Sequence, residues 1–174
     1  MKALRSAVAL ILVGSTAMSL AGCSKKIEAL SKKDFKNAIE EALDLDDDDL
    51  AGLSTSDPVN IWYYEGKYFI DYYQYEDADD AEERFEDWYD DYEDMIEDKD
   101  FEGRHSGVYN ENGGYGYILL NGEADDDRFG EDTVYGGIYW ADDTFLIILA
   151  QSDKDKYVDG INALLAELGY PKPR

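Results

Sequence analysis

Apolar side chains recur along this chain in two distinct periods, and the change from one period to the other orders the elements. Phe35, Ala38, Ile39, Ala42 and Leu43 step by three and four residues and predict a first helix over 32–43. Ser31 stands at its start with Asp34 three residues on, a capping box with aspartate in place of the usual glutamate. Leu30 and Phe35 occupy the two positions of a hydrophobic staple. Past a turn at Asp57-Pro58 the period falls to two, and Ile61 to Tyr64 and Tyr68 to Tyr75 read as a hairpin around Glu65-Gly66. Tyr68, Ile70 and Tyr72 then share one face and Phe69, Asp71 and Tyr73 the other, so both faces carry rings. Ala78, Ala81, Phe85, Trp88, Tyr92 and Met95, widened by Tyr89 and Ile96, form the strongest helical stripe, with Asp77 as its cap.

A glycine-rich hinge at Asn112-Gly113-Gly114 leads to three further strands, Tyr115 to Leu120, Thr133 to Trp140 and Thr144 to Ala150, the last two joined by Asp142-Asp143. Phe145-Leu146-Ile147-Ile148-Leu149 carries no charge on either face, as expected of a strand buried on both sides or central in a sheet. Val158, Ile161, Leu164, Leu165 and Leu168 predict a final helix, capped by Ser152 or Asp153, with Gly169 as a left-handed stop and Pro171 beyond it. The order α-β-β-α-β-β-β-α, with strands clustered in hairpins, predicts an α+β fold: an antiparallel sheet of about five strands with helices packed on one face.

Charge complicates this picture. The chain of 174 residues has 41 Asp and Glu against 16 Lys and Arg. Such a load accompanies disorder when aromatics are few, yet here 15 Tyr, 6 Phe and 3 Trp are available to fill a core. Between Glu76 and Asp100 there are 15 acidic residues against Arg84 and Lys99, so like charges oppose each other at i, i+4 along the second helix. Burial of the aromatic stripe has to outweigh that repulsion. Nucleic acid is excluded as a partner, because binding it requires a positive surface.

The amino-terminal segment has a different character. Lys2 and Arg5 precede an apolar run from Ala7 to Leu20, broken by Gly14, Ser15, Thr16 and Ser19 and too short to span a bilayer. A basic start, a short apolar core and small residues at its end describe a secretory signal over residues 1–22. Leu20-Ala21-Gly22-Cys23, containing the chain's one cysteine, resembles the lipobox of bacterial lipoproteins. The resemblance implies cleavage before Cys23, a diacylglyceryl group on its thiol and often an acyl group on the new amino terminus. It also implies an extracytoplasmic, membrane-anchored address, with no other cofactor. From Ser31 to Tyr170 the chain resembles small bacterial lipoproteins of unassigned function that close on an apolar hairpin, a helix and Leu168-Gly169-Tyr170; that resemblance transfers no catalytic residue.

On this reading residues 23–30 form a tether, 31–170 a single acidic domain and 171–174 a tail. Lys25, Lys26, Lys32, Lys33 and Lys36 make the membrane-proximal end basic, and anionic lipid attracts such lysines by about 1 kcal/mol each. From Asn37 onward nine basic residues face 39 acidic ones, so the acidic bulk points outward.

Chemistry is thinly signalled. The run Asp46 to Asp49 fits no calcium-loop register. The loop from Asp125 to Gly130 comes nearer, with Asp125 and Asp127 as candidate metal ligands, but Arg128 brings a positive charge. His105, beside Arg104 in a predicted loop, is the one histidine, and no nucleophile elbow, phosphate loop or paired-histidine motif occurs. Paired carboxylates of the kind glycosidases use cannot be picked out among so many acids. The leading expectation is a non-catalytic binding module for a cationic protein or envelope component, with Asp90, Asp91 and Asp94 as candidate contacts. A cell-envelope hydrolase using a carboxylate pair and a divalent-cation-binding protein are the alternatives.

Overall fold

The computed structural model describes residues 25–53, 56–126, 128–129 and 132–174; the signal segment, Cys23 and Asp127 lie outside the described residues. Three helices, α1 (Lys32–Leu43), α2 (Ala78–Asp98) and α3 (Asp155–Glu167), accompany seven strands: β1 (Ala51–Leu53), β2 (Val59–Tyr63), β3 (Tyr68–Gln74), β4 (Phe101–Asn110), β5 (Tyr115–Ala124), β6 (Thr133–Ala141) and β7 (Thr144–Ala150). The strands form one antiparallel sheet in the order β1-β2-β3-β7-β6-β5-β4. The α+β class and the antiparallel sheet are as expected, and all five expected strands are present. The two further strands, β1 and β4, are the sheet's edges.

The helices do not lie on one face. Phe35, Ala38 and Ile39 of α1 and Ile161, Leu164 and Leu165 of α3 share a core with Ile70, Tyr72, Tyr139, Leu146 and Ile148. Ala81, Phe85, Trp88, Tyr92 and Met95 of α2 share another with Ile118, Ile138, Trp140, Phe145, Ile147 and Leu149. Alternate residues of the same strands feed the two cores, so the sheet is the middle of three layers. The reason is the charge-free strand itself: every residue of β7 is buried, and so is every residue of β6 after Thr133. One layer of helices would have left half of those side chains in water.

Local signals set the helices. The Ser31 hydroxyl accepts from the Asp34 amide at 3.2 Å and donates in turn to the Asp34 carboxylate at 2.5 Å. Asp77 caps α2 by accepting from the Asp79 amide at 3.1 Å. The whole α2 stripe faces inward. Each large ring buried there contributes about 1.5–3 kcal/mol, against a few tenths opposing helix formation from each like-charged i, i+4 pair. Gly116 makes the docking possible, since a Cβ there would stand 2.3 Å from the Phe85 ring. α3 starts later than its expected caps, and Ser152 accepts instead from the Lys154 amide just before the helix.

Topology decides what α2 covers. It carries the chain from β3 to β4 at the far edge, four strand spacings away, or about 19 Å. It therefore lies over β4, β5, β6 and β7. On the opposite side α1 and α3 pack together over β3, β6 and β7, and the two ends of the described chain complete that layer. Ile27 is 2 % exposed in the core. Tyr170 donates its hydroxyl to the Glu28 carbonyl and Tyr72 to that of Leu30, both at 2.7 Å. Tyr139 donates to the Pro171 carbonyl at 2.8 Å, and the Asn121 amide to that of Arg174 at 3.0 Å. Packing thus extends past 31–170 in both directions: residues 27–30 form a strap against the core, and Pro171 and Arg174 accept hydrogen bonds from the sheet.

Replacing Ile27 with alanine is expected to cost about 2–4 kcal/mol in urea unfolding, whereas a true tether residue would cost nothing measurable.

Candidate functional site

Because α2 starts beside β3 and runs away from β2, the part of the sheet beyond it has no helix on that side among the described residues. The side chains that this leaves on the α2 side of β2 and β3 alternate as the register dictates: Asn60 opposite Tyr73, Trp62 opposite Asp71, then Phe69. Tyr64, just past β2, stacks on Phe69 with ring centroids 4.6 Å apart and planes 4° from parallel. Tyr73 approaches Phe145 at 5.9 Å and Tyr75 at 6.4 Å. Trp62, Phe69, Tyr73 and Tyr75 are half-buried and Tyr64 is 51 % exposed, so the surface is a shelf paved with rings.

A carboxylate sits in the middle of it. Asp71 is 2 % exposed. Its Oδ2 accepts the Tyr64 hydroxyl, and among the described residues its Oδ1 accepts no hydrogen bond of ordinary geometry, with the Asn60 amide acting on the carboxylate as a neighbouring donor. The Asn60 amide donates to the Tyr72 carbonyl at 3.3 Å. The Arg84 guanidinium lies over the Tyr73 ring at 5.7 Å and over Phe145 at 5.8 Å, close enough to act on Asp71 through space but not paired with it. Burial pushes the Asp71 carboxyl above the usual carboxylate range, while the Tyr64 donor, the Asn60 amide and the Arg84 charge pull it back. Burial and the neighbouring carboxylate push the Tyr64 phenol up in turn.

The residues singled out by sequence are distributed elsewhere. Lys32, Lys33 and Lys36 come together in a groove of about 600 Å³ floored by Leu45 and Leu50. Glu40, Asp46 and Asp47 share it, and Lys36 pairs with Asp47 at 2.6 Å, so the groove itself is not basic. Lys25 and Lys26 are exposed just before the strap, and neither lines the groove. Asp91 and Asp94 meet Asp98, Asp100, Asp126 and Arg128 in a hollow of about 310 Å³, which Asp90 does not line. Arg128 pairs with Asp91, lies 4.9 Å above the Trp88 ring and donates to the Asp87 carbonyl at 2.8 Å. Asp126 is occupied by its own loop, accepting from the amides of Arg128 and Phe129 at 2.8 and 3.0 Å.

Asp125 faces a separate hollow of about 390 Å³ with Asp100, Glu102, Glu123 and Asp132. Among the described residues no three His, Cys, Asp or Glu side chains are arranged to hold a metal ion. His105 lies on β4, not in a loop; it is exposed, and its Nδ1 shares a hydrogen bond with the Tyr92 hydroxyl at 2.8 Å.

In comparisons with known proteins no family model matches the chain, and no curated protein and no solved structure matches it significantly. The reading of function therefore rests on the residues themselves.

Asp71, Tyr64 and Asn60 were not singled out by sequence. The available signal was a single charged residue in the middle of an aromatic strand, since Asp71 falls between Phe69 and Tyr73 on one face.

A carboxyl whose native pKa is raised stabilises the fold fully below its unfolded pKa and loses that contribution as pH rises through the native value. The charged and titratable groups around Asp71 are Tyr64, Tyr73 and Arg84, none of which changes charge between pH 4 and 8. Asp71→Asn is thus expected to melt at or above the wild-type temperature at pH 8, with an advantage that shrinks towards pH 4. Destabilisation at both pH values would make Asp71 a structural pin.

Proposed function

We propose that the protein is a lipid-anchored, extracytoplasmic and non-catalytic binding module that presents an acidic, aromatic surface to cationic partners. The observation that carries this reading is the open shelf of rings around Asp71, whose buried Oδ1 accepts no hydrogen bond of ordinary geometry among the described residues. Burying such an atom is costly, and rings beside a carboxylate form a surface suited to positive charge. The fifteen acids in and around α2 add a long-range field of the same preference, which steers cations inward and excludes nucleic acid.

The lipobox supports the address. With Ile27 docked in the core, Cys23 to Lys26 are the residues left to reach the bilayer, about 14 Å when extended. Two acyl chains, at about 0.8 kcal/mol per buried CH₂, hold such a chain stably where one would not. Lys32 and Lys33 project from α1, in the layer opposite α2. Lys25 and Lys26 precede the strap in that same layer. This arrangement favours α1 towards the anionic headgroups and α2 away from them.

Two measurements test the reading. Cys23→Ser is expected to move the protein out of the detergent-extracted lipoprotein fraction and to abolish labelling by radioactive palmitate. Binding of poly-L-lysine to the purified protein is expected to weaken several-fold at high salt and in the triple variant Asp90→Asn, Asp91→Asn, Asp94→Asn. Affinity indifferent to both changes would exclude a cation-binding role.

A further inference from the structure

The shelf is selective in a way that the acidic helix is not. Asp71 has two oxygens, and Tyr64 already occupies Oδ2. A guanidinium recognises a carboxylate through two parallel N–H groups on two oxygens. An ammonium is a compact charge that needs one acceptor. The single oxygen left, Oδ1, is thus matched to the second kind of cation and mismatched to the first. The fold's own guanidinium obeys this rule: Arg84 lies at the margin of the shelf over Tyr73 and Phe145 and does not pair with Asp71. Around the carboxylate, Trp62, Phe69 and Tyr73 supply apolar ring surface against which a short methylene chain packs.

Resting on the binding-module reading above, we propose that the shelf binds a primary alkylammonium group, with its nitrogen donating to Asp71 Oδ1 and its alkyl chain lying across the rings. Tyr64 is the entrance. It is the most exposed ring of the shelf, it belongs to the hairpin turn, and it is held by its hydroxyl and by its stack on Phe69. The ligand enters along its exposed edge while its hydroxyl stays on Oδ2. The chemistry is common to a lysine side chain on a polypeptide and to a free alkylamine, and the test separates the two.

The probes are n-butylammonium, n-butylguanidinium and a short peptide with one blocked-backbone lysine, titrated into the wild-type protein and followed by NMR shifts of the Trp62 indole and the Asp71 and Tyr64 amides. Saturable shifts at these three residues with n-butylammonium, and weaker binding of n-butylguanidinium, are expected. Asp71→Asn should lower the n-butylammonium affinity at least about tenfold. Tyr64→Phe, which frees Oδ2, should bring the guanidinium up to the ammonium. Tighter binding of the peptide than of n-butylammonium assigns the cation to a polypeptide partner, and equal affinities assign it to a free amine.

Unchanged affinity in Asp71→Asn, or shifts confined to α2, would overturn the proposal. If poly-L-lysine binding still weakened with salt and with the α2 variants, the binding-module reading would survive that failure. Asp71→Asn is a fair test because it is expected to fold at least as well as the wild type.

Discussion

Water is kept from both faces of β7 and from almost all of β6, so an apolar layer is required on each side of the sheet. The layers are built differently. On one side two short helices and the packed ends of the described chain share the work; on the other a single helix has to cross from β3 to β4. That crossing accounts for the length of α2, since 21 residues reach about 31 Å, more than the four strand spacings it spans. It also fixes the direction of cover. A helix that leaves β3 for the far edge cannot return over β2, and the rings on that part of the sheet are left open. The shelf is therefore a consequence of topology.

The same crossing explains why so acidic a helix is tolerated. α2 is held by Phe85, Trp88, Tyr92 and Met95 against four strands, while its carboxylates project into solvent where charges are screened within about 8 Å at physiological salt. Two cations temper the repulsion at particular points. Lys99 supplies the left-handed cap at the carboxyl-terminal end, with its amide donating to the Met95 carbonyl, where a positive charge suits the helix dipole. Arg128 reaches in from the β5–β6 connection to Asp91, the Asp87 carbonyl and the face of Trp88. The candidate contacts Asp91 and Asp94 thus border a partly neutralised corner, and Asp90 stands outside it.

Legibility in the sequence followed burial. Helix α1 begins and ends where its periodicity and capping residues indicate, and β3, β5, β6 and β7 are found where apolar and aromatic residues run continuously or alternate. The strands that escaped detection, β1 and β4, are edges: each bonds to one neighbour, and β4 carries Glu102, Gly103, Arg104, His105 and Ser106, all exposed. Nothing in such a segment alternates, because it has no buried face along those residues; charge and glycine there discourage pairing with another chain. The expectation of helices on one face failed although the charge-free run of β7 already argued for cover on both. The strap was hidden because Ile27 is one apolar residue among lysines, and its burial depends on Tyr72 and Tyr170, 45 and 143 positions away in the chain. Asp71 was placed correctly among rings by the hairpin register, but its burial depends on β7 pairing along β3, a contact that no local pattern announces.

The use the fold makes of tyrosine isolates Asp71 further. Deep in the α1 side of the core, tyrosine hydroxyls end on backbone carbonyls: Tyr72 on Leu30, Tyr139 on Pro171, Tyr170 on Glu28. These neutral pairs satisfy the buried hydroxyl and leave no charge behind. Where a hydroxyl meets a carboxylate instead, as Tyr63 meets Glu65 and Tyr109 meets Glu82, the acid keeps contact with water. Tyr64 and Asp71 combine the features that the other pairs keep apart, a carboxylate and burial. A backbone carbonyl or an asparagine would serve Tyr64 at lower cost, and an apolar residue would fit the rings around it. Stability gives little reason for an acid at this position, and the proposed cationic ligand supplies one.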